Sequence, residues 1–142
     1  MTSKKAAGVA IICDGTVILC KRIVTYKGEK VCFGGYWSPF AGVIEKGEDA
    51  KSAAIRELKE ESGVQANESD LAFIDEFNSP DRSFVLFALQ VKKLPHIELC
   101  EEHTDIGHFL IDHLKDLPSD YKLDKQIINS LQRFKKNIPK KD

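Results

Sequence analysis

The stretch GVIEKGEDAKSAAIRELKEESGV, residues 42 to 64, decides how this chain folds. Its central part, from Asp49 to Glu61, is rich in Ala, Leu, Arg, Lys and Glu, which are strong helix formers. Gly63 stands where the C-terminal cap of a helix belongs. We therefore predict a helix over Asp49 to Glu61.

Three carboxylates share one face of this helix. Glu57, Glu60 and Glu61 are spaced i, i+3 and i+4, so they span about 100° of its circumference. Like charges at these spacings destabilise a helix by roughly 0.2–0.5 kcal/mol per pair, and a bound divalent cation would reverse that penalty. Oxygen ligands without sulfur suit Mg²⁺, Mn²⁺ or Ca²⁺ better than zinc. Three glutamates alone are more often a solvated helix face, so the neighbouring residues must decide.

The spacing of the whole stretch resembles the box of the Nudix hydrolase family, G-x5-E-x7-R-E-U-x-E-E-x-G-U, in which U is aliphatic. Its fixed letters fall on Gly42, Glu48, Arg56, Glu57, Glu60, Glu61 and Gly63, and its aliphatic positions on Leu58 and Val64. A chance match of seven letters in a chain of this length is on the order of one in a million. The order of the other strands and helices is similar to that family over most of the chain.

This resemblance implies an α/β fold, an α/β/α sandwich with a mixed β-sheet flanked by helices. It also implies cleavage of a nucleoside diphosphate linked to another moiety, with Mg²⁺ or Mn²⁺ and water as the nucleophile. Nucleoside triphosphates, dinucleoside polyphosphates and nucleotide sugars are such substrates. The alternative is a Nudix-fold nucleotide-binding or regulatory domain without turnover. Members of that kind usually lose a box glutamate or the arginine, and this box is intact.

By the same resemblance, the three box glutamates are metal ligands, and Glu57 is a metal ligand or the general base. Arg56, beside it, forms a supporting salt bridge with Glu48 that orients the helix. A backbone carbonyl of Gly42 or of its neighbour Ala41 is a further metal ligand. Many members have Gly-Gly where this chain has Ala41-Gly42, which is a departure from the pattern.

A second acidic position lies in EEHTDIGHFLIDHL, residues 101 to 114. This stretch resembles an E-H-x4-W-F segment of several Nudix subgroups, with His108-Phe109 in the Trp-Phe place. There a loop glutamate completes the metal site or acts as the base, and we prefer Glu102 to Glu101. A surface acidic loop is the alternative. The four histidines lack metal-ligand spacing, and we expect them on loops and on the surface.

Aromatic residues precede the box. Phe33, Tyr36 and Trp37 would stack on a nucleobase, and packing at the edge of the sheet is an equally weighted alternative. Arg22 ends a predicted strand, where it would meet phosphates or remain solvated. We take these four residues as candidate substrate-binding positions.

The remaining elements follow from hydrophobic patterning and turn residues. Asp14-Gly15 joins two apolar runs as a hairpin turn, so Cys13 would face Thr16 and Cys20 would face Val9. Pro39 favours an edge strand or an irregular segment over residues 36–40. The predicted elements are strands over 6–13, 16–22, 71–77, 84–91 (a central strand) and 106–111, a loop over 23–35, and a helix over 124–136 capped by Asp124.

Composition limits the class of protein. The 142 residues are 42% hydrophobic and 30% charged with a net charge of -1, which favours one domain over 1–142 with a charged tail at about 137–142. This balance excludes a strongly basic nucleic-acid binder, and no apolar run is long enough to span a membrane. Four cysteines without a C-x-x-C pair predict free thiols and a cytoplasmic location. The expected partner is a nucleotide-type small molecule, and the family resemblance implies that a homodimer is a common assembly.

Overall fold

The computed structural model describes residues 4–31 and 34–137. Its strands are β1 (Lys4–Cys13), β2 (Thr16–Arg22), β3 (Thr25–Tyr26), β4 (Glu29–Lys30), β5 (Tyr36–Ser38), β6 (Phe40–Val43), β7 (Leu71–Ser79), β8 (Arg82–Gln90), β9 (His103–Leu110) and β10 (Lys122–Leu123). Its helices are α1 (Ala50–Ser62) and α2 (Lys125–Asn137), with short 3₁₀ helices at Glu68–Asp70 and Ile111–Asp116. Apart from Asn137, the predicted charged tail lies outside the described residues.

The first two strands form the predicted hairpin. Asp14 and Gly15 have φ values of 46° and 85°, as the tight turn between twisted strands requires. Cys13 pairs with Thr16, as expected. Along the hairpin the last described pair is Ile11 with Ile18, and then the strands separate.

The prediction that Cys20 faces Val9 is wrong, because another segment enters between β1 and β2. Cys20 pairs with Ser38 of β5, whereas Val9 pairs with Phe40 of β6. Pro39 stands at the break between β5 and β6, where its missing N–H costs no ladder hydrogen bond. Strand β5 is paired on both sides, with β2 and β10, so the expectation of an edge strand or an irregular piece is wrong for residues 36–38, whereas the described pairing of β6 is with β1 alone.

Within the described residues, eight strands form one mixed sheet in the order β10-β5-β2-β1-β8-β7, with β6 also paired to β1 and β9 to β2. Strand β8 runs parallel to β1 and antiparallel to β7. Residues 86 to 89 of β8 are all buried, which confirms the prediction of a central strand.

Helices cover both faces of the sheet. Alternate residues of a strand point to opposite faces, so Val9 and Ile11 pack with α1, whereas Ala10 and Ile12 pack with α2. This arrangement confirms the predicted sandwich with a mixed sheet between helices.

Smaller differences concern the connections. The predicted loop over 23–35 contains the β3–β4 hairpin, whose two-residue strands are too short to show a periodicity. The Tyr26 hydroxyl of this hairpin donates to Glu101 Oε2 at 3.0 Å. Asp124 caps α2 as predicted, because its Oδ1 accepts from Gln126 N at 2.8 Å. Among the described cysteines, Cys13, Cys20 and Cys100 are free thiols. Neither described helix is long and apolar enough to cross a membrane.

Candidate active site

Helix α1 is placed by its ends and by its apolar side. Asp49 Oδ1 accepts a hydrogen bond from Ser52 N at 2.8 Å, and Gly63 adopts a left-handed conformation at the C-terminal end. Ala53, Ala54 and Leu58 are fully buried against the sheet. These contacts set the rotation of the helix about its axis and turn the glutamates toward β6. The helix predicted from the sequence is confirmed.

Glu61 is the most deeply buried of the box glutamates, with 4% of its surface exposed. Its Oε1 accepts from the backbone N–H of Ala41 in β6 at 2.8 Å. Burial and, after it, the charge of Glu57 raise the pKa of Glu61 to about 8, against the opposing effects of Arg22 and the Ala41 N–H. A carboxylate in this position gains from a neighbouring positive charge.

Glu57 lies against the backbone of β6. A Cβ atom on Gly42 would overlap with the Glu57 carboxyl group, so this close approach requires glycine. Burial raises the pKa of Glu57, and the hydrogen bond from Arg56 partly opposes that effect. The charges of Glu60 and Glu102 add to the increase.

Arg56 connects the helix to the preceding loop and to the acidic cluster. Its Nε and Nη2 donate to the two carboxylate oxygens of Glu48 at 2.8 and 2.9 Å, and Nη2 also donates to Val43 O at 3.0 Å. The hydrogen bond from Arg56 lowers the pKa of Glu48 to about 2. Arg56 Nη1 lies 2.8 Å from Glu57 Oε1 and 3.2 Å from Glu60 Oε2. The ion pair expected between Arg56 and Glu48 is present.

Glu60 and Glu102 complete the cluster from its solvent side. The Glu60 side chain is 58% exposed, and Glu102 is exposed at the start of β9. The Glu102 carbonyl accepts from Ile23 N at 2.9 Å, which ties this loop to the end of β2. The charge of Glu102 raises the pKa of both Glu57 and Glu61, so this residue, distant in the sequence, acts electrostatically on the box glutamates.

The cluster suits a hard divalent cation. Among the described residues, no three His, Cys, Asp or Glu side chains already form a metal site, since Glu57 and Glu60 point to Arg56. The donors are nevertheless all oxygens, as Mg²⁺ and Mn²⁺ prefer. The charges of Glu60 and Glu102 raise the pKa of Glu57, those of Glu57 and Glu102 raise the pKa of Glu61, and Gly42 leaves its backbone open beside Glu57. The residues present therefore fit such an ion.

A cleft of about 440 Å³ opens beside the cluster. Arg22, Tyr36, Trp37, Ala41 and Gly42, all singled out from the sequence, line it. Phe33 lies outside the described residues. The sequence analysis missed the far wall, which comes from the β7–β8 hairpin and the start of α2. Its residues are Phe77, Asn78, Ser79, Arg82, Ser83, Phe84, Asp124, Gln126 and Ile127.

The Trp37 side chain is packed in the protein interior. It is 8% exposed and stacks on Tyr121 with ring centroids 5.9 Å apart. Phe109 meets it edge to face at 5.1 Å. This geometry favours the packing interpretation for Trp37 and leaves the half-buried Tyr36 as the more accessible ring at the cleft.

Two side chains near Glu61 each carry a buried nitrogen without a hydrogen-bond partner among the described residues, Arg22 Nε and His103 Nε2. The expectation that every histidine lies on a loop or on the surface is wrong for His103, whose side chain is 1% exposed. It begins β9, where strand pairing with β2 carries it inward. In the sequence, the signal that could have singled out His103 was its position directly after Glu102, in the Glu-His pair.

Comparison with known proteins agrees with this geometry. The model of the NUDIX domain family matches residues 2–131. The 8-oxo-dGTP diphosphatase of Proteus vulgaris is 30% identical over 116 residues, which are 78% of this chain and 98% of that protein.

Solved structures share the fold. The MutT protein from Methanosarcina mazei Go1 superposes with a TM-score of 0.73 at 16% identity, over 97% of this chain and 96% of that chain. A C. elegans Ap4A hydrolase in a binary complex gives a TM-score of 0.64 at 21% identity, over 92% and 96% of the two chains. Since the family match spans most of the chain and agrees with an intact box folded around one acidic cluster, this chain belongs to the Nudix family and is a hydrolase that acts on phosphoanhydride bonds.

Proposed function

We propose that this chain is a divalent-cation-dependent pyrophosphohydrolase whose substrate is a nucleoside diphosphate linked to another moiety, and first among these a nucleoside triphosphate. One observation carries the proposal: the box glutamates meet the backbone of β6 at the side of a cleft large enough for a small molecule. The relative named 8-oxo-dGTP diphosphatase, matched over 98% of its length, supports a triphosphate substrate. Its name also adds oxidised purine nucleotides to the substrates that should be tested.

Glu57, Glu60 and Glu61, with a backbone carbonyl of Ala41 or Gly42, would hold Mg²⁺ or Mn²⁺. When bound, the cation would neutralise the diphosphate and lower the pKa of the attacking water. Glu48 holds Arg56 by two hydrogen bonds, and Arg56 in turn orients Glu57. Arg56 therefore acts on the reaction through the carboxylate beside it.

Proton removal from water needs a carboxylate that the cation does not fully occupy. Glu57 and Glu102 are the two candidates. The raised pKa of Glu57 suits a base, and Glu102 stands on the solvent side of the same cluster. A pH–rate profile that loses its acidic limb in a Gln variant at one of these positions would identify the base.

The cleft would hold the nucleoside part of the substrate. Arg22 lines it with its guanidinium group near Glu61, a position suited to a phosphate. Tyr36 would contact the base from the β5 side, with Trp37 as its packed support. On this view residues 1–142 act as one catalytic domain.

Hydrolysis of a substrate panel tests the proposal. It contains common and oxidised nucleoside triphosphates, diadenosine polyphosphates, nucleotide sugars and ADP-ribose, each with Mg²⁺ and with Mn²⁺. We expect metal-dependent release of pyrophosphate from a triphosphate. Glu57→Gln and Glu61→Gln should each lower turnover by at least about 100-fold, because a metal or proton-transfer role is lost.

Glu68→Gln, an exposed position in the first 3₁₀ helix, serves as the control and should keep full turnover. Cleavage of another substrate class without any triphosphate would overturn the triphosphate preference. Tight nucleotide binding with no hydrolysis anywhere in the panel would favour a binding domain over an enzyme.

A further inference from the structure

An imidazole with no hydrogen-bond partner on one nitrogen lies directly behind the candidate metal ligands. His103 Nε2 is buried and unpaired among the described residues. It lies 4.0 Å from Glu61 Oε2, and the two side chains are 1% and 5% exposed. This distance is too long for a hydrogen bond, and a shift of about 1 Å would make one. A buried donor without an acceptor is uncommon and points to a partner in another state of the site.

Each carboxylate oxygen of Glu61 faces a different nitrogen of the protein. Oε1 accepts from Ala41 N at 2.8 Å, so the carboxylate is fixed on the β6 side. Oε2 faces His103, whose ring also packs against Phe40 with centroids 6.3 Å apart. Oε2 is thus the carboxylate oxygen that faces the imidazole.

The other ring nitrogen determines what His103 can offer. His103 Nδ1 lies 3.4 Å from Cys100 Sγ. If the thiol donates to Nδ1, the ring hydrogen is on Nε2 and points to the Glu61 carboxylate. Once Glu61 is ionised, as a bound cation requires, the opposite tautomer would direct a lone pair at a carboxylate oxygen, which is unfavourable. An ionised Glu61 therefore favours the tautomer in which Nε2 is a donor, and in that tautomer the Cys100 thiol can donate to Nδ1.

The backbone keeps the imidazole close to the glutamate. Cys100 N donates to Glu61 O at 3.3 Å, and Glu98 N donates to Ser62 O at 2.9 Å. The segment before β9 is thus bound to the last turn of α1, and His103 N donates back to Cys100 O at 3.3 Å. The backbone is thus held on both sides of the 4.0 Å gap between Nε2 and Oε2.

We propose that His103 is a positioning residue for Glu61: its Nε2–H binds Oε2 when Glu61 turns to hold a divalent cation, so that Ala41 and His103 fix the two oxygens together. This proposal rests on the proposed function, since it assumes that the cluster binds a metal. Hydrogen bonds behind a metal ligand orient it and raise its affinity, and their loss typically costs about 10–100-fold in binding. Arg22 is the other buried donor near Glu61, but it lines the cleft and is available to substrate.

Mn²⁺ affinity, measured by electron paramagnetic resonance of the free ion without substrate, tests the proposal. His103→Phe keeps the ring packing against Phe40 and removes the donor, and we expect about 10–100-fold weaker binding. His103→Gln places an amide N–H at the same reach and should stay within about threefold of the wild type. His113→Phe, at a side chain 67% exposed, is the matched control and should not differ from the wild type.

The outcomes separate the two claims. A wild-type protein that does not bind Mn²⁺ overturns the proposed function itself. If the wild type binds Mn²⁺ and His103→Phe binds it equally well, the proposed role of His103 is wrong. Equal losses in His103→Phe and His103→Gln also overturn it, because they indicate packing and not a hydrogen bond. Thermal unfolding in chelator shows that each variant is folded before its affinity is compared.

A second measurement uses the unaltered protein. Nitrogen-15 spectra of the histidine rings, recorded with saturating Mg²⁺, should show His103 with its hydrogen on Nε2. The Nε2 resonance should shift when Mg²⁺ is added, as the bond to Glu61 forms. A hydrogen on Nδ1, or an Nε2 resonance that does not respond to Mg²⁺, would contradict the proposal.

Discussion

At the scale of single residues, the three box glutamates occupy three different environments although they stand within one and a half turns of one helix. Glu61 is buried and bound to β6, Glu57 is half-buried over Gly42, and Glu60 is mostly exposed. Rotation by about 100° per residue explains the difference, because it carries each side chain to a different depth against the sheet. Burial raises the pKa values of Glu57 and Glu61 for the same reason.

The absence of a side chain at Gly42 is predicted to matter more for activity than for stability. In Gly42→Ala the new Cβ would displace the Glu57 carboxyl group, which is the flexible end of a side chain and can move away at small cost. Turnover should fall by about 100-fold, as expected when a reacting group is misplaced by about 1 Å, while the melting temperature changes little. Steady-state kinetics and thermal unfolding measure the two effects.

Lys46→Ala is the control for this substitution. Lys46 is exposed in the loop after β6 and does not line the cleft, so its truncation should leave turnover unchanged. Normal turnover in Gly42→Ala would show that the close approach of Glu57 to the backbone has no role in the reaction.

At the scale of elements, α1 is held to the loop before it by Arg56 and Glu48. The pKa of Glu48 is about 2 in the folded protein against an ordinary value of 4.5, because Arg56 donates to its carboxylate. The native state thus favours the ionised form. The stability from this pair is complete above pH 4.5 and is lost as the pH falls from 4.5 toward 2.

Glu48→Gln should therefore make the free energy of unfolding less dependent on pH between 4.5 and 2. Urea unfolding at several pH values in this window measures the slope. Glu45→Gln is the matched control, because Glu45 lies 3.9 Å from Arg56 with a side chain 67% exposed. A slope in Glu48→Gln equal to that of the wild type would show that the ion pair does not contribute to acid stability.

The attachment of α1 to the sheet depends on its apolar residues. Leu58 is fully buried among the side chains of β1 and β6. Leu58→Ala should lower the free energy of unfolding by about 2–5 kcal/mol, since it removes apolar contacts and leaves a cavity. Urea unfolding at neutral pH measures the loss, with the exposed Lys59→Ala as the comparison. A loss as small as that in the control would mean that the helix is held mainly by its ion pairs.

At the scale of the whole molecule, a cation at the cluster would link α1, β6 and the loop before β9. Ligand at 100 times its dissociation constant stabilises a protein by about 2.7 kcal/mol, and a protein of this size gains roughly 2–4 °C per kcal/mol. The melting temperature should therefore rise by about 5–11 °C with saturating Mg²⁺ or Mn²⁺ and return with chelator. Glu57→Gln should show a much smaller rise. An equal rise in that variant would place the cation elsewhere.

Several elements could be predicted because their signals are local. The Asp14-Gly15 turn, the helix from Ala50 to Ser62 and the cap at Asp124 each depend on residues a few positions apart. Short strands such as β3 and β10 were missed, because two residues carry no periodicity. The position of residues 36–40 was also misjudged, since Pro39 signals a break but not which strands lie on either side of it.

The sequence by itself indicated the reaction class through its resemblance to the Nudix box, and the spacing of the box letters places three carboxylates and an arginine on one helix because helix geometry is local. Tertiary structure alone decided which carboxylate is buried, that the charge of Glu102 acts on Glu61, 41 positions earlier in the chain, and that His103 stands behind Glu61. It also decided that the β7–β8 hairpin and the start of α2 form the far wall of the cleft. These features depend on strand pairing and burial between distant segments, and such contacts have no fixed spacing in the sequence.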